Sequence, residues 1–477
     1  MPNQPNIIFL MLDTVRADVF STYDGKRRMK NLDSLAEKSL VFENAIAPAT
    51  YTLPSHLAIF LGKRPRAIKE LRKDNMKHYD DRTDPFMKKT SYIKGNEMTL
   101  AKHLSYLGYE TALFSNNPFI TAAAGVCDGF SYVENMFVED KINNGSAFVK
   151  VLLRMIQYDI IRNNVLRLSA ACAHIFPDES FDSVYLRLRK KVDRHFAEEC
   201  NYYSIDIGAQ RTNRSISKYF GTRKKGGNFI FVNYMEGHEG YPTNLITDRR
   251  IVQDKWLYMI GHSKMEDADA ERMAYLKRVE YLDRKISDLL KALKKKGALE
   301  NAYVIITADH GQGFMEHGQM YHNVFPYNEI VKVPLIISKF EKGRQVDVGK
   351  RIGKPVSLTI LNKIIPEMVY GNINNIEKAA GDFAVSDHLG ITEVWDTYLL
   401  KLIKHRSKSA DAIYRKKRHY NKFASAIFYK NYKLIHYYGT MKDEMYRTDI
   451  DPEEKNNIVG RNSALARKMV RFNSTTA

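Results

Sequence analysis

Two apolar runs of the chain are each followed by side chains that commonly bind metal ions. Residues 6–12 form the first run and precede Asp13, and residues 302–307 form the second run and precede Asp309 and His310. Runs of this length are typical of buried strands, and open α/β sheets bind ligands outside the carboxyl ends of their strands. We therefore expect two carboxylates and an imidazole to meet in one crevice. The simpler alternative is that Asp13 caps a turn and His310 is a core histidine.

The elements around these runs alternate between strands and helices. Residues 229–232 form another apolar run of strand length, and the alternation indicates an α/β fold. Apolar residues at helical spacing from 269 to 296 predict a long surface helix that Gly297 would end. Residues 140–220 are basic and have helical spacing around 148–161, which predicts a helical insertion. Packing against the parent domain is the favoured interpretation of its amphipathic pattern, and a membrane surface is the alternative.

The composition is that of a large, basic globular protein. Of 477 residues, 44% are hydrophobic, and 74 Lys plus Arg against 55 Asp plus Glu give a formal charge of +19. Such a charge favours anionic substrates or surfaces. The basic runs are scattered and carry no zinc-finger or RNA-binding signature, so we expect no specific nucleic-acid partner. The three cysteines show no paired spacing and predict no disulfide framework.

The sequence patterns predict neither a membrane-spanning nor a secretory segment. No stretch approaches the roughly 18 consecutive apolar residues of a membrane span, and the first strand begins almost at Met1. We therefore expect a cytoplasmic protein, with peripheral contact at the inner membrane surface as the alternative. Nothing in the sequence indicates the oligomeric state.

Six sequence blocks stand in an order and at a spacing found in one enzyme family. They are residues 13–18, 31–36, 42–62, 233–238, 307–318 and 333–336, and they include Thr52-Leu53-Pro54-Ser55-His56 and Asp309-His310-Gly311. Together they resemble the sulfatase family of the alkaline phosphatase superfamily, over most of the chain. The resemblance implies an α/β fold with a mostly parallel central sheet flanked by helices. It also implies a catalytic core in residues 1–355 and a small C-terminal α+β subdomain in residues 356–477.

The resemblance assigns Asp13, Thr52, Asp309 and His310 as ligands of a divalent metal ion. Two carboxylates with an imidazole suit Zn²⁺ or Mn²⁺ and tolerate Mg²⁺ or Ca²⁺. Many sulfatases hold calcium with a second aspartate directly after the first, and here Thr14 stands at that position. This departure favours a site that contains imidazole over an all-oxygen calcium site.

A second metal ion would need a further carboxylate. Glu236 and Glu239 are the candidates, and neither is placed by a family motif. We therefore expect one metal ion and keep a second as the alternative.

Thr52 stands where sulfatases carry the cysteine or serine that is oxidised to formylglycine. Threonine has a methyl group on that carbon and oxidation would give a ketone, so this route is closed. Thr52 would then attack as an alkoxide and form a covalent threonine ester. Relatives with threonine here, such as phosphoethanolamine transferases, nucleotide pyrophosphatase/phosphodiesterases and lipoteichoic acid synthases, act on phosphorus. Thr50 and Ser55 are nearby rivals, but only Thr52 has the family's spacing to Pro54 and Gly62.

Two anion-binding positions of sulfatases are changed. His56 replaces the arginine that usually follows the nucleophile, so a titratable donor replaces a permanent clamp and activity should depend on pH near neutrality. The lysine and histidine that sulfatases carry after the strand near residue 111 are missing as well. Asn116 or Asn117 is the candidate hydrogen-bond donor to the substrate there, and a plain turn is the alternative.

Three further histidines are candidates for roles at the substrate. His238 matches the family's substrate-side histidine, and His322 falls where sulfatases carry lysine and phosphoethanolamine transferases carry histidine. Both are candidate leaving-group acids or oxyanion donors. His317 is a candidate substrate-binding residue, with a structural role as the alternative. The pair Asp387 and His388 lacks the flanking pattern, and we do not expect it to bind metal.

These residues predict a metal-dependent hydrolase or transferase of anionic esters, with Thr52 as the nucleophile and phosphate mono- or diesters preferred to sulfate esters. We expect the substrate to be a small molecule or a glycan- or lipid-linked ester. Sulfate-ester hydrolysis without formylglycine is one alternative. A catalytically weak anion- or glycan-binding protein is the other, because the arginine and lysine clamps are lost.

Overall fold

The computed structural model describes residues 4–23, 25, 28–68, 93, 96–117, 119–122, 124–135, 205–222, 227–238, 265–322, 324–371, 376, 380–390, 423–439 and 441–475, with the backbone alone for residues 265–267. The predicted helical pattern at 148–161 and the candidate ligand Glu239 lie outside the described residues.

Two sheets and one hairpin contain the described strands. In chain order these strands are β1 (Asn6–Leu12), β2 (Leu40–Ile46), β3 (Glu110–Ser115), β4 (Tyr132–Asn135), β5 (Asn228–Tyr234), β6 (Asn301–Thr307), β7 (Gly313–Phe314), β8 (Met320–Tyr321), β9 (Leu335–Glu341), β10 (Arg344–Gln345), β11 (Lys350–Ser357), β12 (Phe383–His388), β13 (Ala424–Tyr429), β14 (Tyr432–Tyr437) and β15 (Glu444–Arg447). The large sheet has the order β11-β2-β9-β6-β1-β5-β3-β4, with β10 beside β9.

Helices lie between and beside these strands. The described α-helices are α1 (Lys30–Glu37), α2 (Thr52–Leu61), α3 (Leu100–Tyr106), α4 (Ala209–Thr222), α5 (Met265–Lys295), α6 (Asn328–Val331), α7 (Leu361–Val369) and α8 (Ser463–Thr475). Short 3₁₀ turns occur at Ala17–Val19, Ser21–Tyr23, Pro65–Ala67, Leu358–Ile360 and Val459–Arg461.

The apolar runs form the middle of the large sheet. Every residue of β1 and β5 is buried, and only the first residue of β6 is partly exposed. Strands with apolar residues on both faces are typical of sheets that carry helices on both sides. Phe9 and Phe231 meet edge to face across β1 and β5, with ring centroids 5.2 Å apart, so aromatic packing adds to the burial of the strands.

The large sheet is mostly parallel. β6, β1, β5, β3 and β4 pair in parallel, as do β2 and β11, whereas β9 is antiparallel to β2 and β6. The carboxyl ends of β1, β3, β5 and β6 therefore share one edge of the sheet. The predicted fold class is confirmed.

A smaller antiparallel sheet follows in the order β12-β13-β14-β15. Helix α8 packs on this sheet, where Ala466 and Met469 meet Ile427 in a second apolar cluster. Helix α7 instead buries residues in the main core. This arrangement agrees with a small C-terminal α+β subdomain, while its division from the core at residue 355 stays a prediction.

The long helix predicted at 269–296 is confirmed as α5. Val279, Leu282 and Ile286 lie on its buried side. It ends at Lys295, two residues before Gly297, which has φ 73°, and Ala298 N–H donates to the carbonyl of Leu293 over 2.9 Å. A left-handed glycine of this kind satisfies carbonyls that a helix end would leave without partners.

No helix in the described ranges is long and apolar enough to cross a membrane.

Candidate metal centre and active site

Asp13, Asp309 and His310 form a buried cluster at the carboxyl edge of the large sheet. Their ligand atoms all lie within 4.8 Å of one another. β1 and β6 are neighbours, with Met11 opposite Thr307, so Asp13 and Asp309 each follow the paired residue by two positions. The adjacent parallel strands thus bring together side chains that are far apart in sequence, as the strand patterns predict.

The cluster is electrostatically suited to a cation. Burial and the neighbouring charge of Asp13 raise the pKa of Asp309 well above its usual range. The backbone N–H groups of Thr14 and His310 donate to Oδ1 of Asp309 over 3.2 and 3.0 Å. Oδ2 of Asp309 is buried and has no hydrogen-bond donor in the described part of the chain. Two adjacent buried carboxylates need a compensating positive charge, which a divalent ion held by these residues would supply.

His310 has its tautomer fixed by the backbone. Its Nδ1 lies 3.0 Å from the carbonyl oxygen of Gly311, and because a carbonyl only accepts, Nδ1 carries the hydrogen. Nε2 then presents a lone pair 3.3 Å from Oγ1 of Thr52 and 3.4 Å from Oδ2 of Asp309. A histidine whose second nitrogen donates to an oxygen is the usual form of a metal ligand.

Thr52 is the first residue of α2 and is buried. The first N–H groups of a helix have no partners within the helix, and with the helix dipole they attract an anion. The two rival hydroxyls are engaged elsewhere. Ser55 donates to the carbonyl of Asp309 over 2.6 Å, and Oγ1 of Thr50 lies 3.0 Å from Nδ1 of His388.

The two candidate asparagines have different neighbours. Asn117 donates from Nδ2 to Oδ2 of Asp13 over 2.7 Å. Asn116 turns to α4, where its Nδ2 donates to Oγ1 of Thr212 over 3.2 Å. The structure therefore brings Asn117 to the cluster and places Asn116 against a helix. Substrate binding by either asparagine stays a prediction.

His56 is turned into the core one helical turn after Thr52. Its Nδ1 donates to the carbonyl of Thr52 over 2.8 Å, and its ring meets Phe231 edge-on with centroids 5.8 Å apart. Burial lowers the pKa of His56 to about 4, although the hydrogen bond to Thr52 opposes this shift. His56 is therefore neutral near neutral pH, and the expected titration of this residue there is wrong. Its part in catalysis stays a prediction.

The rings of His238, His322 and His310 lie next to one another, with His322 in the middle. The rings of His238 and His322 lie 4.9 Å apart between centroids, and those of His322 and His310 lie 4.6 Å apart. His238 follows β5, whereas His322 follows β8. Three imidazoles from separate elements thus line one side of the candidate metal centre, where His238 and His322 could contact a bound ester.

His317 lies in the contact between the core and the C-terminal subdomain. Its Nδ1 is 2.7 Å from Oε1 of Glu329, its Nε2 is 3.1 Å from the carbonyl of Glu453, and its ring stacks on Tyr327. Both ring nitrogens are therefore occupied by protein groups. This geometry does not support the prediction that His317 binds substrate, and it favours the structural alternative.

Further carboxylates near the site have other partners. Oε1 of Glu236 accepts from the backbone N–H groups of Ile207 and Ala209 at the start of α4, and burial raises the pKa of Glu236 to about 7. Asp387 pairs with Arg64 over 2.7 Å. Glu236 is thus used to hold a helix start and does not support a second metal ion beside Asp13, Asp309 and His310. A separate cluster of His317, Glu329 and Glu454 also has its ligand atoms within 4.8 Å of one another, so a second metal ion stays an alternative.

Two residues at the site were not singled out from the sequence. Arg16 is buried and binds Asp18, Glu316 and the carbonyl of Gln312. Oε1 of Gln312 lies 3.1 Å from Nδ1 of His322. Arg16 stands inside a matched sequence block, which is a signal that could have identified it. The position of Gln312 depends on a hairpin that the sequence pattern does not reveal.

Comparisons with known proteins identify the family of the chain. Residues 5–364 match the family model described as Sulfatase. An N-acetylglucosamine-6-O-sulfatase of Bacteroides thetaiotaomicron is 24% identical over 505 residues, an alignment that covers 96% of this chain and 83% of that protein.

Solved structures show the same fold. A phosphonate monoester hydrolase of Agrobacterium radiobacter superposes with a TM-score of 0.63 at 14% identity, over 99% of this chain and 96% of the other. A protein solved with its substrate D-glucosamine-2-N,6-O-disulfate superposes with a TM-score of 0.57 at 17% identity, over 99% of this chain and 97% of the other.

Proposed function

The chain belongs to the sulfatase family of metal-dependent hydrolases of anionic esters, and we propose that it cleaves phosphate mono- or diesters with Thr52 as the nucleophile. The observation that carries this proposal is the position of Thr52. Its hydroxyl oxygen lies 3.3 Å from Nε2 of His310 and stands at the start of α2.

The type of residue at this position favours phosphorus over sulfur. Thr52 has a methyl group on Cβ and so cannot become the aldehyde that sulfatases use. A direct alkoxide attack leaves a covalent ester on the enzyme. A phosphothreonine is easier to turn over than a sulfothreonine, since a metal can stabilise the higher equatorial charge of its transition state.

Asp13, Asp309, His310 and Thr52 would hold one divalent metal ion. The buried carboxylates and the lone pair of His310 match the ligands of Zn²⁺ or Mn²⁺, and Mg²⁺ or Ca²⁺ would be tolerated. When bound, such an ion lowers the pKa of the threonine hydroxyl and neutralises charge on the ester.

The reaction proceeds in two displacements. First, Thr52 loses its hydroxyl proton to solvent, Oγ1 bonds to phosphorus, and the bond from phosphorus to the leaving oxygen breaks. That oxygen takes a proton from His322 or His238. Second, water adds its hydroxyl to phosphorus and returns its proton to the histidine, while the bond between Oγ1 and phosphorus breaks and Oγ1 regains a proton from solvent. An acceptor alcohol in place of water would give group transfer.

Turnover by metal-stripped protein tests the substrate class. The protein would be resupplied singly with Zn²⁺, Mn²⁺, Mg²⁺ and Ca²⁺, and given p-nitrophenyl phosphate, bis-p-nitrophenyl phosphate and p-nitrophenyl sulfate. We expect metal-dependent release of nitrophenol from a phosphorus ester and little from the sulfate. Faster sulfate turnover under every metal would overturn the preference for phosphorus.

The nucleophile is tested by substitution and by trapping. We expect Thr52→Ala to lower turnover at least about a thousandfold and Thr52→Ser to keep a measurable rate. Thr50→Ala is the matched control, because Thr50 lies in the same loop and contacts His388 instead of the cluster. Acid-quenched protein should carry a phosphoryl group on the peptide that contains Thr52. Full activity of Thr52→Ala would show that the assignment is wrong.

Hydrolysis of sulfate esters without formylglycine is the second candidate. It is favoured by the curated relative named as an N-acetylglucosamine-6-O-sulfatase, which aligns with 96% of this chain. The same ester panel separates the two candidates. The substrate of this second activity would be a glycan-linked sulfate, and D-glucosamine 6-sulfate is the first compound to test.

A further inference from the structure

Gln312 and His322 face each other at the open end of a short hairpin. β7 and β8 pair antiparallel, with Gly313 opposite Tyr321, so Gln312 and His322 occupy the next positions on the two strands. Oε1 of Gln312 lies 3.1 Å from Nδ1 of His322. An amide oxygen only accepts, and Nδ1 of His322 therefore carries the hydrogen.

The backbone of Gln312 is fixed on both sides. Its N–H donates to the carbonyl of Glu329 over 2.9 Å, and its carbonyl accepts from Arg16 over 3.0 Å. Its side chain is fully buried. The backbone that carries this side chain is thus held in place independently of His322.

The hydrogen bond decides which nitrogen of His322 does chemistry. The two ring nitrogens lie on opposite sides of the imidazole, so Nε2 points away from Gln312. The ring packs between His238 and His310, which keeps His322 within the candidate site. Loss of the acceptor would remove the contact that favours hydrogen on Nδ1 over hydrogen on Nε2.

We propose that Gln312 is a positioning residue that fixes the tautomer and ring plane of His322, so that Nε2 exchanges the proton with the leaving-group oxygen. The kinetic part of this inference, proton transfer to the leaving group, rests on the proposed function. The breaking bond is the one between phosphorus and the leaving oxygen, and that oxygen gains the proton that Nε2 gives up. Nδ1 keeps its hydrogen throughout, and Gln312 accepts it before and after the transfer.

Leaving groups of different basicity separate positioning from a general structural role. A p-nitrophenolate can leave without taking up a proton. The more basic methoxide and phenolate need a proton in order to leave. We expect Gln312→Met to lower kcat about 10- to 100-fold for a methyl or phenyl phosphoester and less than about threefold for the p-nitrophenyl ester. Gln312→Glu keeps an acceptor and should restore most of the lost rate. The double variant Gln312→Met with His322→Ala should be no slower than His322→Ala.

Gln319 offers a matched control. It is also buried, in the same hairpin, and its amide binds the backbone of Phe325 instead of His322. Gln319→Met removes an equally buried amide, and we expect no change in the ratio of rates between the two leaving groups. An equal loss on both esters in Gln312→Met would overturn the inference.

The tautomer can be measured without turnover. Histidine-labelled ¹⁵N protein loaded with Mg²⁺ should show His322 with hydrogen on Nδ1, assigned by the loss of its signals in His322→Ala. Gln312→Met should show exchange between the two forms. If no ester is turned over, the proposed function fails while this spectrum still decides the inference. Hydrogen on Nε2 with none on Nδ1 in the unmodified protein would overturn it.

Discussion

The side-chain amide of Asn117 donates to Oδ2 of Asp13 over 2.7 Å, and the backbone of Asn117 is itself held in place. Its N–H donates to Oγ of Ser115, and its carbonyl accepts from Asn135. Asp13 is fully buried. A buried carboxylate that we propose as a metal ligand is thus oriented by an amide that follows β3 of the same sheet.

We predict that Asn117→Ala weakens metal binding about 10- to 100-fold, because groups that orient a metal ligand commonly contribute this much. Titration calorimetry of the metal-stripped protein with Zn²⁺ or Mn²⁺ would measure the dissociation constant. Asn116→Ala is the control, since Asn116 contacts Thr212 of α4. Equal affinities in the two variants would contradict a role for Asn117 in orienting Asp13.

Gly237 allows the turn after β5 to pack on Asp13 and Thr14, beside the candidate metal centre. A Cβ at this position would lie 2.3 Å from the carbonyl oxygen of Asp13 and 3.0 Å from Oγ1 of Thr14. We predict that Gly237→Ala displaces the backbone of Asp13 and lowers metal affinity and activity at least about tenfold. Gly460→Ala is the control, because a Cβ there meets nothing within 4 Å. Unchanged calorimetric affinity in Gly237→Ala would count against this packing.

The metal cluster could be predicted because it follows from strand ends. Asp13, Asp309 and His310 come directly after apolar runs, and parallel strands bring their carboxyl ends to one edge. The same reasoning places His238 after β5. These positions depend only on the order and direction of strands, which local sequence patterns indicate.

The direction of a side chain could not be predicted in the same way. His56 faces Phe231 and not the ester position because α2 lies over β5, and a sequence pattern does not contain that packing. His317 binds Glu329 and Glu453 because the C-terminal subdomain docks at that point. Gln312 meets His322 only once β7 and β8 have paired. Contacts of this kind depend on tertiary structure.

Lys433 and Glu454 form a buried ion pair between the C-terminal sheet and the loop that follows it. Nζ lies 2.6 Å from Oε1, and both side chains are inaccessible to solvent. Burial lowers the pKa of Lys433 and raises that of Glu454, each against the attraction of the other. Asn328 of α6 contacts both residues, so the pair also joins the core.

We predict that Lys433→Met destabilises the protein by about 3 to 5 kcal/mol, because it leaves the charge of Glu454 buried without its partner. The paired change Lys433→Met with Glu454→Leu should destabilise less than the single change, since it also removes the carboxylate that the single change leaves buried without Lys433. Urea unfolding followed by circular dichroism would measure both midpoints. A double variant that is less stable than the single one would show that the ion pair is not the main interaction lost.

His317 couples the docking of the C-terminal subdomain to pH. Burial and the charge of Lys433 act to lower the pKa of His317. The hydrogen bond with Glu329 and the charges of Glu329 and Glu454 act to raise it and outweigh them, so the pKa is raised. Because the pKa of His317 is higher in the folded state, its protonated form stabilises the fold, and this effect is fully present below the pKa of about 6.5 in the unfolded chain. It is lost as the pH rises through the folded value.

We predict that His317→Gln lowers the thermal midpoint most at pH 5.5 to 6.5, and that the difference from the unmodified protein narrows as the pH rises to 9. Comparing the two proteins at each pH removes the titration of groups that do not interact with His317. Glu454 and Lys433 do interact with His317 and contribute to the difference. Scanning calorimetry without added metal would measure the midpoints. His317→Gln with Glu329→Gln is the control, because the double variant lacks the charged partners that raise the histidine pKa. A difference that stays constant across this range would show that the contact of His317 with Glu329 acts through packing and not through charge.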